Sequence, residues 1–330
     1  MLTPPHGLSD EALVSAISAG WNVTIASINY RAVGFGGHHW DAVDARGDRR
    51  FVTVDDLRSK RHALDEDEDA AFARLRAALA TAQDLRGAGC DFAVAPLPTT
   101  AEAPLFRIDR RFAVALYPHI AGDSSVWSES PTATHRRRVL DMMVILHAVP
   151  RTATPHAPID DYSISHRDEL EMGIHVNADP KESGPYSARV STLLAEHGAN
   201  IQQLLQRYDA LVQETRSRPR PTVVTHGEPH PGNIMRTSDG WKLIDWDTLL
   251  VAPPERDLWS LDPGDGSIID AYRDATNCTP DPSTLDLYRL RWDLADIAVY
   301  VSRFRGPHSA SSDDNKSWDE LRDLVSRLPT

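Results

Sequence analysis

Between residues 226 and 257 the chain reads HGEPHPGNIMRTSDGWKLIDWDTLLVAPPERD, and its polar side chains are spaced for chemistry on a charged ligand. An acid, Glu228, stands two residues after His226, and Asn233 follows after four spacers. Asp245 then closes a short apolar run, Lys242-Leu243-Ile244. Moving a phosphoryl group from a nucleotide needs such a set. One carboxylate must orient the attacking hydroxyl and accept its proton, and oxygen ligands must hold magnesium against the phosphates. Glu228 suits the first task; Asn233 and Asp245 suit the second. His226 and His230 also have an H-x-x-x-H spacing, which on a helix could bind zinc. Gly227, Pro229, Pro231 and Gly232 rule out a helix there, and the zinc reading with it.

These residues carry a resemblance. HGEPHPGN at 226–233, IDWD at 244–247 and APPERDL at 252–258 together resemble the signature of the aminoglycoside phosphotransferases, a kinase-like family. RDL at 256–258 and DIAVY at 296–300 look closest to its spectinomycin phosphotransferases. The resemblance runs through residues 222–303, is fainter at 135–147 and fades in the first third.

The resemblance implies an α+β, bilobal protein-kinase-like fold. A small β-rich N-terminal lobe would span residues 1–117, and a larger, mostly helical C-terminal lobe residues 118–330. ATP, with GTP not excluded, would sit between them with Mg2+, and the acceptor would be a hydroxyl of a small cationic antibiotic. Glu228 stands where the family has its catalytic Asp. His226 would brace that loop and Asp257 would tie its backbone. Asn233 and Asp245 would hold the magnesium. Gly34, Gly36 and Gly37 would cover the phosphates, and the hinge at Tyr117, His119 and Ile120 would take the purine. Two alternatives stay open: a metabolic small-molecule kinase of the same fold, and a nucleotide-binding pseudokinase.

Two departures bear on that choice. Glu228 reaches roughly one methylene further than Asp, with a similar reference pKa, about 4.3 against about 3.9. Because the base mainly positions the hydroxyl, Glu is workable but not equivalent. The second departure concerns the lysine that kinases present from their third strand to the α- and β-phosphates. Thr53 stands at that position, in Phe51-Val-Thr-Val54. The chain has four lysines, Lys60, Lys181, Lys242 and Lys316, so only Lys60 is near. Either Lys60 or Arg58 reaches back, or another Arg substitutes, or magnesium neutralises more of the charge, or transfer has been lost.

Other residues have a plain reading beside the functional one. The cluster at 34–37 by itself is more often a hairpin turn. Asp247 is a surface acid or faces substrate. Asp262 and Asp265 are solvated loop acids or line a cationic pocket. Asp293 and Asp296 lie one helical turn apart, either paired with Arg289 or Arg291 or facing a substrate ammonium. Cys90 and Cys278 are structural or incidental.

Elements must position these groups. Residues 9–20 read as a helix capped by Ser9; 23–30, 51–54, 105–108 and 112–117 as strands; 65–86 as a helix acidic at its start and basic at its end. After a break at 118–122, helices are expected at 135–148, 187–216, 267–276, 283–303 and 318–327. Residues 222–225 form a short strand, 234–236 and 241–244 a hairpin, and 309–314 a polar loop. The segment 152–187 has no clear periodicity. With 330 residues, two lobes are the prior. The formal charge of −13 disfavours nucleic acid and anionic membranes and suits a cationic ligand. Two cysteines exclude a disulfide framework. A cytoplasmic location is expected, since no apolar stretch reaches membrane-span length and no secretory signal opens the chain.

Overall fold

The structure, a computed structural model, describes residues 1–124, 131–175, 183–218 and 220–329. Part of the segment 152–187, with Lys181, lies outside them. The first lobe is built on an antiparallel sheet. β1 (Ile25–Arg31), β2 (His38–Asp44) and β3 (Arg49–Asp56) form a meander; β4 (Phe106–Arg107) and β5 (Phe112–Pro118) complete the order β1-β2-β3-β5-β4. Alternation gives the sheet two faces. Val52, Val54, Val114 and Leu116 bury one face against Leu13 and Ile17 of α1 (Asp10–Trp21). Those two helix residues are four apart, as an apolar stripe requires. Ser9 caps α1 by accepting the Ala12 N–H at 3.2 Å.

Ala113 and Ala115 face the other way and pack with Ala71, Leu75, Ala78 and Leu79 of α2 (Glu68–Gly87). This core does not stop at the lobe. It continues into Val139, Leu140 and Met143 of α3 (Ala133–His147), and into Leu243, Trp246 and Leu258. β6 (Asp123–Ser124), β7 (Val223–Thr225), β8 (Ile234–Thr237), β9 (Gly240–Leu243) and β10 (Leu250–Ala252) make two small sheets, β6-β8-β9 and β10-β7. The chain after α2 is stitched onto β9: Leu243 N–H donates to Phe92 O at 2.8 Å and Val94 N–H to Leu243 O at 3.0 Å.

A second core holds α4 (Arg167–His175), α5 (Ser187–Ser217), α8 (Pro282–Arg305) and α9 (Ser312–Ser326) around Leu170, Ile201, Tyr208, Leu294, Ile297 and Phe304. α6 (Glu255–Leu258) and α7 (Ser267–Thr276) lead from the hairpin to α8. No helix among the described residues is long and apolar enough to cross a membrane.

Most elements lie where periodicity places them; β6, β10 and α6 are short elements that no pattern announced, and three longer elements also differ. β2 follows the glycine cluster immediately, and its polar His38, His39 and Asp41 hide the alternation. α4 occupies part of the segment without clear periodicity. The polar loop expected at 309–314 is half helix. Ser311 and Asp314 form a reciprocal capping box, so α9 begins at Ser312 rather than near Trp318.

Asp314 also takes Arg303 at 2.9 Å. Burial opposes its charge, but hydrogen bonds from Ser311, Ser309 and Arg303 outweigh that and hold the carboxyl at about 2. A depressed acid stabilises above its unfolded pKa of about 3.9, and that gain is lost as pH falls through about 2. Asp314→Ala is expected to lower unfolding stability by about 1–2 kcal/mol at neutral pH. The gap to wild type should shrink in urea titrations repeated between pH 4 and pH 2.

Candidate active site

The segment from β7 to β8 cannot be regular, because its glycines and prolines break both ladders. Its shape is therefore set by side chains. Asp257, fully buried in α6, accepts the N–H of His226 at 3.0 Å and of Gly227 at 2.6 Å. Its Oδ2 also takes His147 Nε2 at 3.0 Å, and His147 Nδ1 meets the Tyr272 hydroxyl at 2.9 Å. Burial would raise the Asp257 pKa, but the His147 hydrogen bond together with the neighbouring His147, Arg256 and His226 groups outweighs it and keeps the carboxylate below its usual range.

His226 is held in one tautomer. Its Nδ1 accepts the Glu228 N–H at 3.1 Å, so the proton sits on Nε2 and donates to Ile244 O at 2.9 Å. Burial lowers its pKa, in keeping with a neutral ring. Arg256 completes the brace by donating to Thr225 Oγ1 at 2.9 Å and to Thr248 O at 2.7 Å. Gly227 has φ +98°, and a Cβ there would lie 2.4 Å from the Arg256 guanidinium, so both conformation and space demand glycine.

Asn233 Nδ2 donates to Glu228 O at 3.1 Å, which leaves its oxygen as the outward donor. Ile244 N–H donates to Asn233 O at 3.0 Å, fixing the strand end to the loop. Asp245 follows with φ +67°, a left-handed geometry that Asp tolerates better than most residues. Burial, then the Asp247 and Glu228 charges, push its pKa well above the carboxylate range. Asn233 is thus bonded to the Glu228 carbonyl, and the Glu228 charge acts on Asp245.

Of Arg58 and Lys60, just past β3, Lys60 is the one that reaches the acids. Lys60 Nζ reaches across to Asp247 Oδ2 at 2.5 Å and to Asp55 Oδ1 at 3.2 Å. Burial opposes its charge, but Asp247 and Asp55 overcome this and raise its pKa well above the usual lysine value. Arg58 turns away to Glu68 at 3.4 Å. Thr53 Oγ1 meets His39 Nδ1 at 3.3 Å instead of facing the acids. The glycine cluster is the β1–β2 turn. It also lies over Lys60, since a Cβ at Gly36 would stand 4.0 Å from Nζ. At its tip Phe35 packs edge-on to Tyr300 of α8, ring centroids 5.8 Å apart.

The remaining candidates separate. Tyr117 is still part of β5, paired with Phe51 of β3, while His119 and Ile120 follow the strand. A cavity of about 420 Å3 is lined by Pro118, Ile120, Ala95, Pro96 and Lys242, and not by Glu228, Asp245 or Asp247. Asp296 lies next to the loop. Burial first and the Glu228 charge second raise its pKa to about 8. The pairing considered for it and Asp293 does not occur. Arg291 binds Asp160 at 2.8 Å and Arg289 binds Asp286 at 2.8 Å. Asp262 accepts the Gly264 N–H and Asp265 the Ser267 N–H, each within its own turn. The sequence assigned no role to Asp55, Arg256, His147 or Tyr272, because each acts across a distance no local pattern encodes.

A bilobal fold with a braced His-x-acid loop, a glycine turn and a buried lysine among acids defines a kinase-like phosphotransferase. Residues 41–300 match the phosphotransferase enzyme family (APH), and the chain belongs to it. The protein StrN of Streptomyces griseus is 28% identical over 248 residues, covering 72% of each chain. The fold is similar to that of the spectinomycin phosphotransferase APH(9)-Ia, solved with ADP and spectinomycin. The TM-score is 0.69 at 16% identity, over 97% of this chain and 98% of that one. It is also similar to the amicoumacin kinase hAmiN, solved with AMP-PNP, Ca2+ and Ami, with a TM-score of 0.58 at 11% identity over 98% and 95% of the two chains.

Asp257→Ala would strand two buried backbone donors and the His147 ring. Each unmet buried group costs about 1–3 kcal/mol. Chemical denaturation should show a loss of at least about 3 kcal/mol. A loss under about 1 kcal/mol would mean that the loop is held by something else.

Proposed function

We propose that this phosphotransferase moves the γ-phosphate of ATP or GTP onto a hydroxyl of a cationic aminocyclitol or aminoglycoside antibiotic, with spectinomycin the first candidate. The observation that supports this reading is the ion pair of Lys60 with Asp247 beneath the glycine turn, with Asp245 acted on by the charges of Asp247 and Glu228. One carboxylate and one amide oxygen form the donor set that magnesium accepts when phosphate oxygens and water complete its shell. Burial and the charges of Asp247 and Glu228 outweigh the Lys60 charge at Asp245 and raise its pKa, which fits a further cation there. Bound magnesium would neutralise charge on the transferring phosphate.

The chain's own groups do the rest. Lys60 faces the α- and β-phosphates, and the backbone of residues 34–37 lies over them. Glu228 accepts a hydrogen bond from the acceptor hydroxyl and holds its oxygen in line with the γ-phosphorus. As the new P–O bond forms, the bond to the β-phosphate oxygen breaks. The hydroxyl proton passes to Glu228, and the nucleoside diphosphate departs.

Asp296 supports a cationic acceptor. Among the described residues it makes no ion pair, and it lies close enough to Glu228 to feel its charge. Asp293 lies one turn before it and is also raised, chiefly by burial. An acceptor ammonium would restore the charge that burial suppresses, directly beside the base. The fold's likeness to an enzyme solved with spectinomycin supports the same class.

Incubation with magnesium-ATP and a panel of aminocyclitols should add one phosphate to an acceptor, read by mass spectrometry. No phosphorylated product from any of them would overturn the proposal. Glu228→Gln should cut kcat by about 100-fold or more while leaving nucleotide affinity near wild type. The KM for a cationic acceptor should fall as pH rises from 6.5 toward the Asp296 value of about 8, because only the ionised carboxylate attracts it. Asp296→Asn should flatten that pH profile.

A further inference from the structure

A lysine carried by a strand is fixed by its ladder, but Lys60 lies four residues beyond the end of β3 at Asp56. Something else must hold its backbone. The turn begins with Ser59, whose N–H and Oγ both donate to Asp56 O, at 2.9 and 2.7 Å. The Lys60 carbonyl then accepts Arg74 Nη2 at 2.8 Å. The same nitrogen donates to Glu66 Oε2 at 3.0 Å, and Nη1 donates to Glu66 Oε1. Glu66 in turn takes the His62 N–H. One guanidinium thus grips the loop at residue 60 and at residue 66.

Arg74 stands on α2, whose Ala71, Leu75 and Ala78 are buried in the core that continues into the second lobe. The helix is therefore a rigid post, and Arg74 is its link to the lysine. The planar fork matters, because a lysine's single ammonium has no geometry to serve a carbonyl and both carboxylate oxygens together. With both terminal nitrogens turned to Glu66 and Lys60 O, Arg74 is committed to the loop rather than to a ligand.

We propose that Arg74, clamped to Glu66, is a positioning residue that sets where the Lys60 ammonium meets the nucleotide phosphates. This rests on the reading of Lys60 given above. A displacement of about 1 Å at such a contact can cost up to about 100-fold.

A double-mutant cycle tests it, using Arg74→Ala, Lys60→Ala and the double variant. The Kd for magnesium-ATP is measured by calorimetry, kcat and both KM values by product formation, and folding by thermal melts. Arg74→Ala should weaken nucleotide binding or lower kcat by about 10- to 100-fold. The acceptor KM should stay within about twofold of wild type. In the Lys60→Ala background the same change should have little further effect, because coupled sites are not additive. Arg74→Lys should stay impaired despite keeping its charge. Equal losses with and without Lys60, or rescue by Arg74→Lys, would overturn the proposal. If Lys60→Ala alone leaves nucleotide affinity and kcat unchanged, the role of Lys60 falls, and Arg74's with it. If no acceptor is found, the calorimetric arm still reads the coupling through nucleotide affinity.

Discussion

Three carboxylates, Asp55, Asp245 and Asp247, act on a single ammonium, with Glu228 adding its charge at Asp245, and the architecture answers to that imbalance. Lys60 neutralises Asp247 and helps Asp55, and burial still pushes Asp55 and Asp245 upward. A site with surplus negative charge costs stability unless a cation joins it. The surrounding structure therefore has to hold these groups in place against their mutual repulsion. Asp257 does this for the loop, the His226–Ile244 hydrogen bond ties loop to strand, and Arg256 fills the space that only a glycine at 227 leaves open.

What was legible in the sequence follows from range. The loop at 226–233 could be read because its chemistry lies in spacing within eight residues, and the hairpin after it has its own turn signal. Ser9 and the acidic start of α2 are equally local. Lys60 could be named only as one of several options, since its partner Asp247 is 187 positions away. Arg291 and Asp160, which are 131 apart, replaced the local pairing considered for α8. Asp262 and Asp265 show the converse: acids near a motif in sequence, yet spent on closing their own turns. β2 escaped notice because its strand face is coded by polar residues, and α9 because a serine and an aspartate can cap a helix as readily as fill a loop.

Membership in the phosphotransferase family sets the general chemistry, and this chain departs from the family pattern at two residues. Thr53 brings no charge, and its hydroxyl is engaged by His39 within the sheet. The positive charge that meets the acids stands on a turn instead, with Asp55 beside the ammonium and Arg74 of α2 on its backbone carbonyl. Glu228 is likewise embedded, its own N–H held by His226 and its carbonyl by Asn233, so the longer side chain leaves from a fixed main chain.

The hydrogen bonds joining residues 92–94 to Leu243 change what a lobe means here. The covalent crossing near Pro118 is only one of the connections between the halves. Phe92 and Val94 clasp β9, Lys242 reaches Asp91 O at 2.9 Å, and the α2 core runs on into α3. A backbone nick between residues 119 and 122 would therefore leave two fragments that remain associated, with the lysine and the acids still facing each other.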